Sequence, residues 1–259
     1  MLRKRIIFTL IYSNDFFMQS RNFRLQKVGD INWLETNYKF QNISFSLDEI
    51  IVLNASKEIK NIEKFASTIT KLVKNVFIPI AAGGGIRNVN DAELLFNSGA
   101  DKIILNSVFI ENPKLVHELI DVYGSQSIVA SIDYKLVEKK YIVYTNDGVK
   151  NTELSLEDYI SYLNNFNIGE IYLNSIDKDG TGFGYDLSII KKIIDEINVP
   201  LIIAGGAGNS SHLEEGLQLD GVSAVATANL FNFMGDGLPI ARSNILKNSG
   251  NIANWNEYD

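Results

Sequence analysis

Short apolar runs recur along this chain, and stretches of helical periodicity separate them. The runs cover residues 5–10, 49–53, 76–81, 102–105, 127–132, 170–173, 200–203 and 222–226. Each is rich in Ile, Val or Leu and short enough to be a strand buried on both faces. Between them, residues 88–98 open on Asn88 with Asp91 three positions on. Residues 155–164 place Ser155 as an N-cap and Asp158 at the third helical position. Strands alternating with helices predict an α/β fold with a parallel sheet, and eight strands is the number that closes a barrel.

An internal repeat favours closure. The segment IPIAAGGGIRNVNDAELLFNSGADKIILNS from Ile78 resembles VPLIIAGGAGNSSHLEEGLQLDGVSAVATAN from Val199, an offset of 199 − 78 = 121. The same offset links Glu49 with Glu170 and Gly85 with Gly206. One extra residue near Asp220 breaks the register just before Asn229. The period far exceeds the roughly 20 to 50 residues of solenoid repeats. The expectation is a (β/α)8 TIM barrel built from two similar half-barrels, as one domain over residues 1–259. Residues 134–150 read as a hairpin inserted after the fifth strand, turning at Asn146, Asp147 and Gly148. A polar tail from about Lys247 is expected to be poorly ordered.

The formal charge of −7 argues against a nucleic-acid partner. It leaves room for an anionic ligand held by backbone amides and local basic residues. The absence of cysteine excludes disulfides, thiolate zinc sites and cysteine nucleophiles, and fits a cytoplasmic location. With His117 and His212 the two histidines, no histidine-rich metal site is expected, and no cofactor. The start, MLRKRIIFTLIYSNDFF, is charged and then apolar, but Ser13, Asn14 and Asp15 interrupt it, against a signal peptide. No stretch reaches the roughly 18 apolar residues of a membrane helix, so no membrane insertion is expected.

Gly83, Gly84 and Gly85 follow the third predicted strand, and Gly205 and Gly206 follow the seventh. Glycines there let backbone amides approach an anion, and the following helix adds its positive N-terminal end. Each cluster lies about 20 residues before a small pair, Asn106-Ser107 and Ala228-Asn229. Two such sites across a barrel mouth would suit a small molecule with a phosphate at each end. The glycines could instead serve tight turns alone.

Asp133 ends the fifth strand, the end where barrel enzymes place catalytic side chains. A carboxylate there can transfer protons if its surroundings raise its pKa. Asp179, beside Gly180 in a glycine-rich loop after the sixth strand, either orients a substrate or fixes a turn. Arg5, Glu49, Lys102 and Glu170 start strands one, two, four and six, near the opposite opening. Pointing inward, they form a neutral ring able to plug the barrel or gate a small polar molecule; pointing outward, they are surface charge.

These segments resemble a known family. MLRKRII, DEIIVLNAS, AAGGGIRNVNDAELLFNSGADKIILNS, SIVASID, GEIYLNSIDKDGTGFGYD and IIAGGAGNSSH are similar to the cyclase subunit of imidazole glycerol phosphate synthase, over nearly the whole chain to about Phe233. The resemblance implies a glutaminase subunit docked on the N-terminal barrel face. It also implies ammonia passing a gate matched by Arg5, Glu49, Lys102 and Glu170, and a doubly phosphorylated ribonucleotide at the far face. Of the family's two catalytic aspartates, one matches Asp133. The other falls at Ile11, within Thr9-Leu10-Ile11. Gln19 stands in place of a loop lysine, Asn54 in place of an acid after strand two, and Asn229 in place of a phosphate-binding serine. Isoleucine cannot transfer a proton.

The first loop, IFTLIYSNDFFMQSRNFRLQKVGDINWL, resembles a cyclase-like branch from bacterial surface-polysaccharide pathways that makes acetamidino groups on sugars. That branch implies an ATP-dependent amidotransferase as a further partner. Arg21, Arg24 and Lys27 would meet an anionic sugar nucleotide or form a solvated face. Three functions follow as expectations: an ammonia-receiving synthase subunit adapted to amidine formation, a true histidine-pathway cyclase, or a non-catalytic scaffold that activates the glutaminase.

Overall fold

The computed structural model describes residues 3–38, 43, 45–57, 60–248 and 250–255. Eight parallel strands close into a barrel: β1 (Arg5–Ser13), β4 (Glu49–Asn54), β5 (Ile80–Gly83), β6 (Lys102–Leu105), β7 (Ile128–Val137), β10 (Glu170–Ser175), β11 (Leu201–Ala204) and β12 (Val222–Thr227). The ring runs β10-β11-β12-β1-β4-β5-β6-β7, and β7 pairs β10 to complete it. The expected (β/α)8 barrel is the observed fold.

Alternation along the strands separates two cores. Ile6, Phe8 and Leu10 of β1 and Ile50 and Val52 of β4 face outward to the helices. Ile7, Ile51, Ala81, Ile104, Val129, Tyr172 and Ile202 form a separate cluster inside the barrel. This is the period of two that places neighbouring side chains on opposite faces of a strand.

The helices start where the sequence offers caps. The side chains of Asn61, Asn88, Asn112, Ser155 and Asn209 each accept from a backbone N–H in the first turn of the helix they precede. Asn88 and Asn209 precede the helices Val89–Asn97 and Ser210–Leu217, and 209 − 88 = 121, so the repeat extends to the capping geometry. The second half's extra residue enters before Gly221, near Asp220 as the sequence suggests: Gly99 and Gly221 hold the same positive-φ place after their helices, and 221 − 99 = 122. Downstream, β11 and β12 shift register, Leu201 pairing Val222 but Ile202 pairing Ala224.

Two other expectations are adjusted. The third strand begins at Ile80, not Val76, because Pro79 has no N–H to give a strand ladder; its carbonyl accepts from Ile50 N. The insertion after the fifth strand is a three-stranded meander, not a single hairpin. Strand β7 runs on to Val137, turns at Glu138-Lys139 into β8 (Lys140–Thr145), and turns again at residues 146–148 into β9 (Lys150–Ser155). The first loop forms a second hairpin, β2 (Phe16–Arg21) and β3 (Arg24–Gly29), with Asn22 and Phe23 at positive φ in its tight turn.

The described part of the tail is packed. Ile252 bridges Lys4, and Ala253 O accepts from the Arg242 guanidinium. Arg242, on the last described helix (Gly237–Lys247), is buried and grips Asp48 at 2.9 and 3.0 Å, while Trp255 Nε1 donates to the same carboxylate. Residues 256–259 of the expected tail lie outside the described residues. No described helix is long and apolar enough to cross a membrane.

Arg242→Met would leave Asp48 buried without its cation. We expect a loss of about 3 to 5 kcal/mol in urea unfolding. A loss below about 1 kcal/mol, the range of an exposed pair, would contradict the role assigned to Arg242.

Candidate functional site

The C-terminal ends of the barrel strands surround a cavity of about 810 Å³. Gly84, Gly85, Asn106, Ser107, Asp133, Asp179, Gly180, Gly205, Gly206, Ala228 and Asn229 all line it. The sequence thus singled out residues that the fold brings to one place. Gly84 and Gly85 have φ of 99° and 95°, and Gly205 and Gly206 have 88° and 108°, so both clusters use backbone that disfavours side chains. A Cβ on Gly84 would lie 2.3 Å from Asn54 O, and one on Gly205 would lie 2.7 Å from Ser175 O, again one repeat apart (175 − 54 = 121). Packing against the preceding strand's end accounts for Gly84 and Gly205. All four glycines line the cavity, and a glycine backbone lets an anion approach closely.

Asp133 is one of two buried carboxylates lining the mouth, with Asp179. Its two oxygens accept from Asn174 Nδ2 at 3.3 Å and Asn106 Nδ2 at 3.1 Å. Burial raises its pKa from 3.8 to about 7; the Asn174 bond opposes the shift, and Asp147 and Asp179 add to it. A carboxyl raised toward neutral pH is the kind of group that can take up and release a proton there.

Sheet register shows what stands at the equivalent place in the first half. Ile11 pairs Leu53 across β1 and β4, as Asp133 pairs Asn174 across β7 and β10, and 174 − 53 = 121. Ile11 is therefore the structural counterpart of Asp133, and Leu53 that of Asn174. The repeat also matches Ala228 to Asn106. A hydrogen-bonded triad, Asp133, Asn174 and Asn106, faces an apolar one, Ile11, Leu53 and Ala228, and all six line the same cavity.

The structure gives several site residues local duties. Asp179 is buried and holds the β2–β3 hairpin over the mouth. Its Oδ2 accepts from Ser20 Oγ at 2.5 Å and from Phe23 N at 3.0 Å. Burial raises its pKa, and these two bonds work against the rise. Gln19 fastens the same hairpin to the loop after β12 by accepting from Leu230 N. Asn54 turns its carbonyl oxygen to Ser56, and Asn229 accepts from Phe231 N and Asn232 N. Arg21 and Arg24 sit exposed at the hairpin's tip, Lys27 lies over the Phe16 ring, and none of the three lines the cavity.

Three mouth cations, Lys57, Lys60 and Arg87, were not singled out from the sequence. Lys60 pairs with Asp147 at 3.0 Å, tying the loop after β4 to the turn between β8 and β9. Their signal was faint: two lysines three apart just before the Asn61 cap, and an arginine behind the triple glycine. Asn174 could have been found by extending the repeat to the residue beside Asp133.

At the opposite end the four charges point inward and meet. Arg5 donates to Glu49 at 2.5 Å and to Glu170 at 2.7 Å; Lys102 lies 3.2 Å from Glu49 and 3.1 Å from Glu170. The reading as flanking surface charge is excluded by these pairs and by the burial of Glu49 and Glu170. Burial pushes the Glu49 pKa up, and Lys102 and Arg5 oppose it. For Arg5, burial acts downward but the two carboxylates outweigh it, so its pKa rises.

Comparison with known proteins accords with this geometry. The family described as histidine biosynthesis protein matches residues 23–236. A protein of Parasynechococcus marenigrum (strain WH8102), its name provisionally assigning it as imidazole glycerol phosphate synthase subunit hisF2, is 43% identical over 98% of this chain and 95% of its own. The imidazole glycerol phosphate synthase subunit HisF of Chlorobium phaeobacteroides (strain BS1) is 35% identical, over 90% of this chain and 92% of its own. That of Saccharolobus solfataricus is 35% identical, over 90% and 91%. A barrel with twin glycine cradles at one end and a charged ring at the other, matched along nearly its whole length, belongs to the histidine biosynthesis protein family as a HisF-like cyclase subunit.

Proposed function

We propose that this barrel is a synthase subunit that receives ammonia from a glutaminase docked on its N-terminal face, and that it serves acetamidino-group formation on a bacterial surface sugar. The observation that carries the reading is the asymmetry of the mouth. The charged ring and both glycine cradles are retained, while the place matched to Asp133 holds Ile11 against Leu53 and Ala228. Arg5, Glu49, Lys102 and Glu170 act as the ammonia gate. Gly84, Gly85, Asn106 and Ser107 receive one phosphate of an anionic substrate, and Gly205, Gly206, Ala228 and Asn229 the other. Asp133 is the proton-transferring group, and Asp179 with Gly180 fixes the hairpin that roofs the substrate. The first loop's resemblance to the polysaccharide branch supports the sugar assignment and an ATP-dependent amidotransferase partner. The work is cytoplasmic.

A second reading, cyclization in histidine biosynthesis, is favoured by the names of the HisF relatives. Supplying the doubly phosphorylated ribonucleotide with an ammonium salt separates the two. The specialised reading predicts negligible imidazole glycerol phosphate, because a two-acid reaction lacking one acid–base group loses about 10²- to 10⁴-fold. Robust turnover restores the histidine-pathway role. Ile11→Asp is expected to raise any residual cyclization, since it supplies a carboxylate at the position matched to Asp133.

Asp133→Asn tests the acid itself. On the amidine-forming reaction it should cost about 10²- to 10⁴-fold; unchanged output would favour a scaffold that only activates the glutaminase. Stability provides an independent check. The folded chain holds a proton on Asp133 up to about pH 7, whereas the unfolded chain releases it near 3.8. Between those values the folded state binds more protons, so stability falls as pH rises through that window. Thermal melts should show this loss in the native chain and a weaker one in Asp133→Asn. Parallel curves would mean that Asp133 is not the buried, readily protonated group described.

A further inference from the structure

One polar pair in the barrel interior has no part in the site as described above. Thr9 Oγ1 and Tyr172 OH lie 3.2 Å apart, both buried. Thr9 belongs to β1 and Tyr172 to β10, which stand three places apart in a ring of eight. The contact therefore crosses the lumen instead of bridging neighbouring strands. Around it the interior is aliphatic: Ile7, Ile51, Ile104, Val129, Ile202 and Ala226.

Its height in the barrel is fixed by the strands. On β10, Tyr172 comes two residues after Glu170 of the charged ring and two before Asn174, which donates to Asp133. At about 3.3 Å per residue, it lies roughly 7 Å from each level. Thr9 stands two residues before Ile11 on β1, and both hydroxyl residues line the mouth cavity. They form the floor of that cavity, between it and the charged ring.

Hydrogen-bond accounting shows spare capacity. One hydroxyl proton is used within the pair. The second has no acceptor among the described residues, and neither oxygen accepts from any other group there. A buried tyrosine hydroxyl in an aliphatic interior is costly, and a leucine or phenylalanine would fill the lumen without that cost. The unused donor and acceptors are what a small neutral guest, able both to give and to accept, would satisfy.

We propose that Thr9 and Tyr172 form a binding station for ammonia inside the barrel, midway between the charged ring and Asp133. The tyrosyl O–H donates to the nitrogen lone pair, and Thr9 Oγ1 accepts an N–H. Ammonia and not ammonium is the guest, because the tyrosyl proton needs a nitrogen lone pair and ammonium has none. The station rests on the proposed delivery of ammonia from the N-terminal face. Tyr172 and Thr9 act as positioning residues, holding ammonia below the reacting centre without taking part in bond making.

The test uses the full-length chain carrying tyrosine labelled with ¹³C at Cζ, with the Tyr172 resonance assigned through Tyr172→Phe. Ammonium chloride is titrated at alkaline pH, where a large share of it is ammonia, and at mildly acidic pH, where nearly all is ammonium. Sodium chloride is the control at each pH. A saturable shift of the Tyr172 signal is expected at alkaline pH alone, and its loss in Thr9→Val, which keeps the shape and removes the oxygen. No ammonia-dependent shift, an equal shift with sodium chloride, or a full shift in Thr9→Val would overturn the station. Copurification with the glutaminase is scored separately. Complex formation without a Tyr172 response sinks the station alone, whereas a response without complex formation keeps the station and sinks the delivery reading.

Discussion

Pairing of β7 with β10 closes the sheet, and closure is the constraint on which the rest of the molecule depends. In a closed barrel every second residue points into a lumen that has two ends. The inward series Arg5, Ile7, Thr9, Ile11 on β1 and Glu170, Tyr172, Asn174 on β10 thereby become ordered levels along one axis. Charge occupies the first level because the strands begin there, and four groups from four strands can neutralise one another. Burying those charges is tolerated only because each carboxylate meets two cations. The same alternation puts Asp133 at the far level, where desolvation raises its pKa against the opposing pull of the Asn174 amide.

The duplication explains both what the halves share and how they differ. Helix caps at Asn88 and Asn209 and strained glycines before them are the same device used twice. Backbone geometry of this kind needs particular residues, so it persists in both copies. Side chains that only line the cavity are freer to change, and there the halves diverge: Asp133, Asn174 and Asn106 against Ile11, Leu53 and Ala228. A polar half-mouth opposite an apolar one suits a reaction with a single proton-handling group.

Barrel strands were legible because each is an Ile/Val/Leu run buried on both faces, and the glycine cradles because no other residue accepts their φ. The charged ring was legible as strand-initial residues, although their inward direction needed closure to decide it. The β2–β3 hairpin was not legible: its strands are largely polar and its turn uses Asn22-Phe23 instead of a glycine pair. Lys60 was missed because its site role comes from Asp147, 87 residues away. Thr9 and Tyr172 could not be joined from sequence either, since only the strand order of the closed ring sets them across the lumen.

The most direct measurement of the whole account follows the nitrogen. The barrel and the glutaminase proposed as its partner, given an acceptor that they turn over, would receive glutamine labelled with ¹⁵N at the amide in a bath of unlabelled ammonium. Enclosed passage from the charged ring to Asp133 predicts product nitrogen that stays predominantly ¹⁵N, whatever the excess outside. Product carrying the isotope ratio of the bath would show that ammonia reaches the mouth through solvent, and the account would fail.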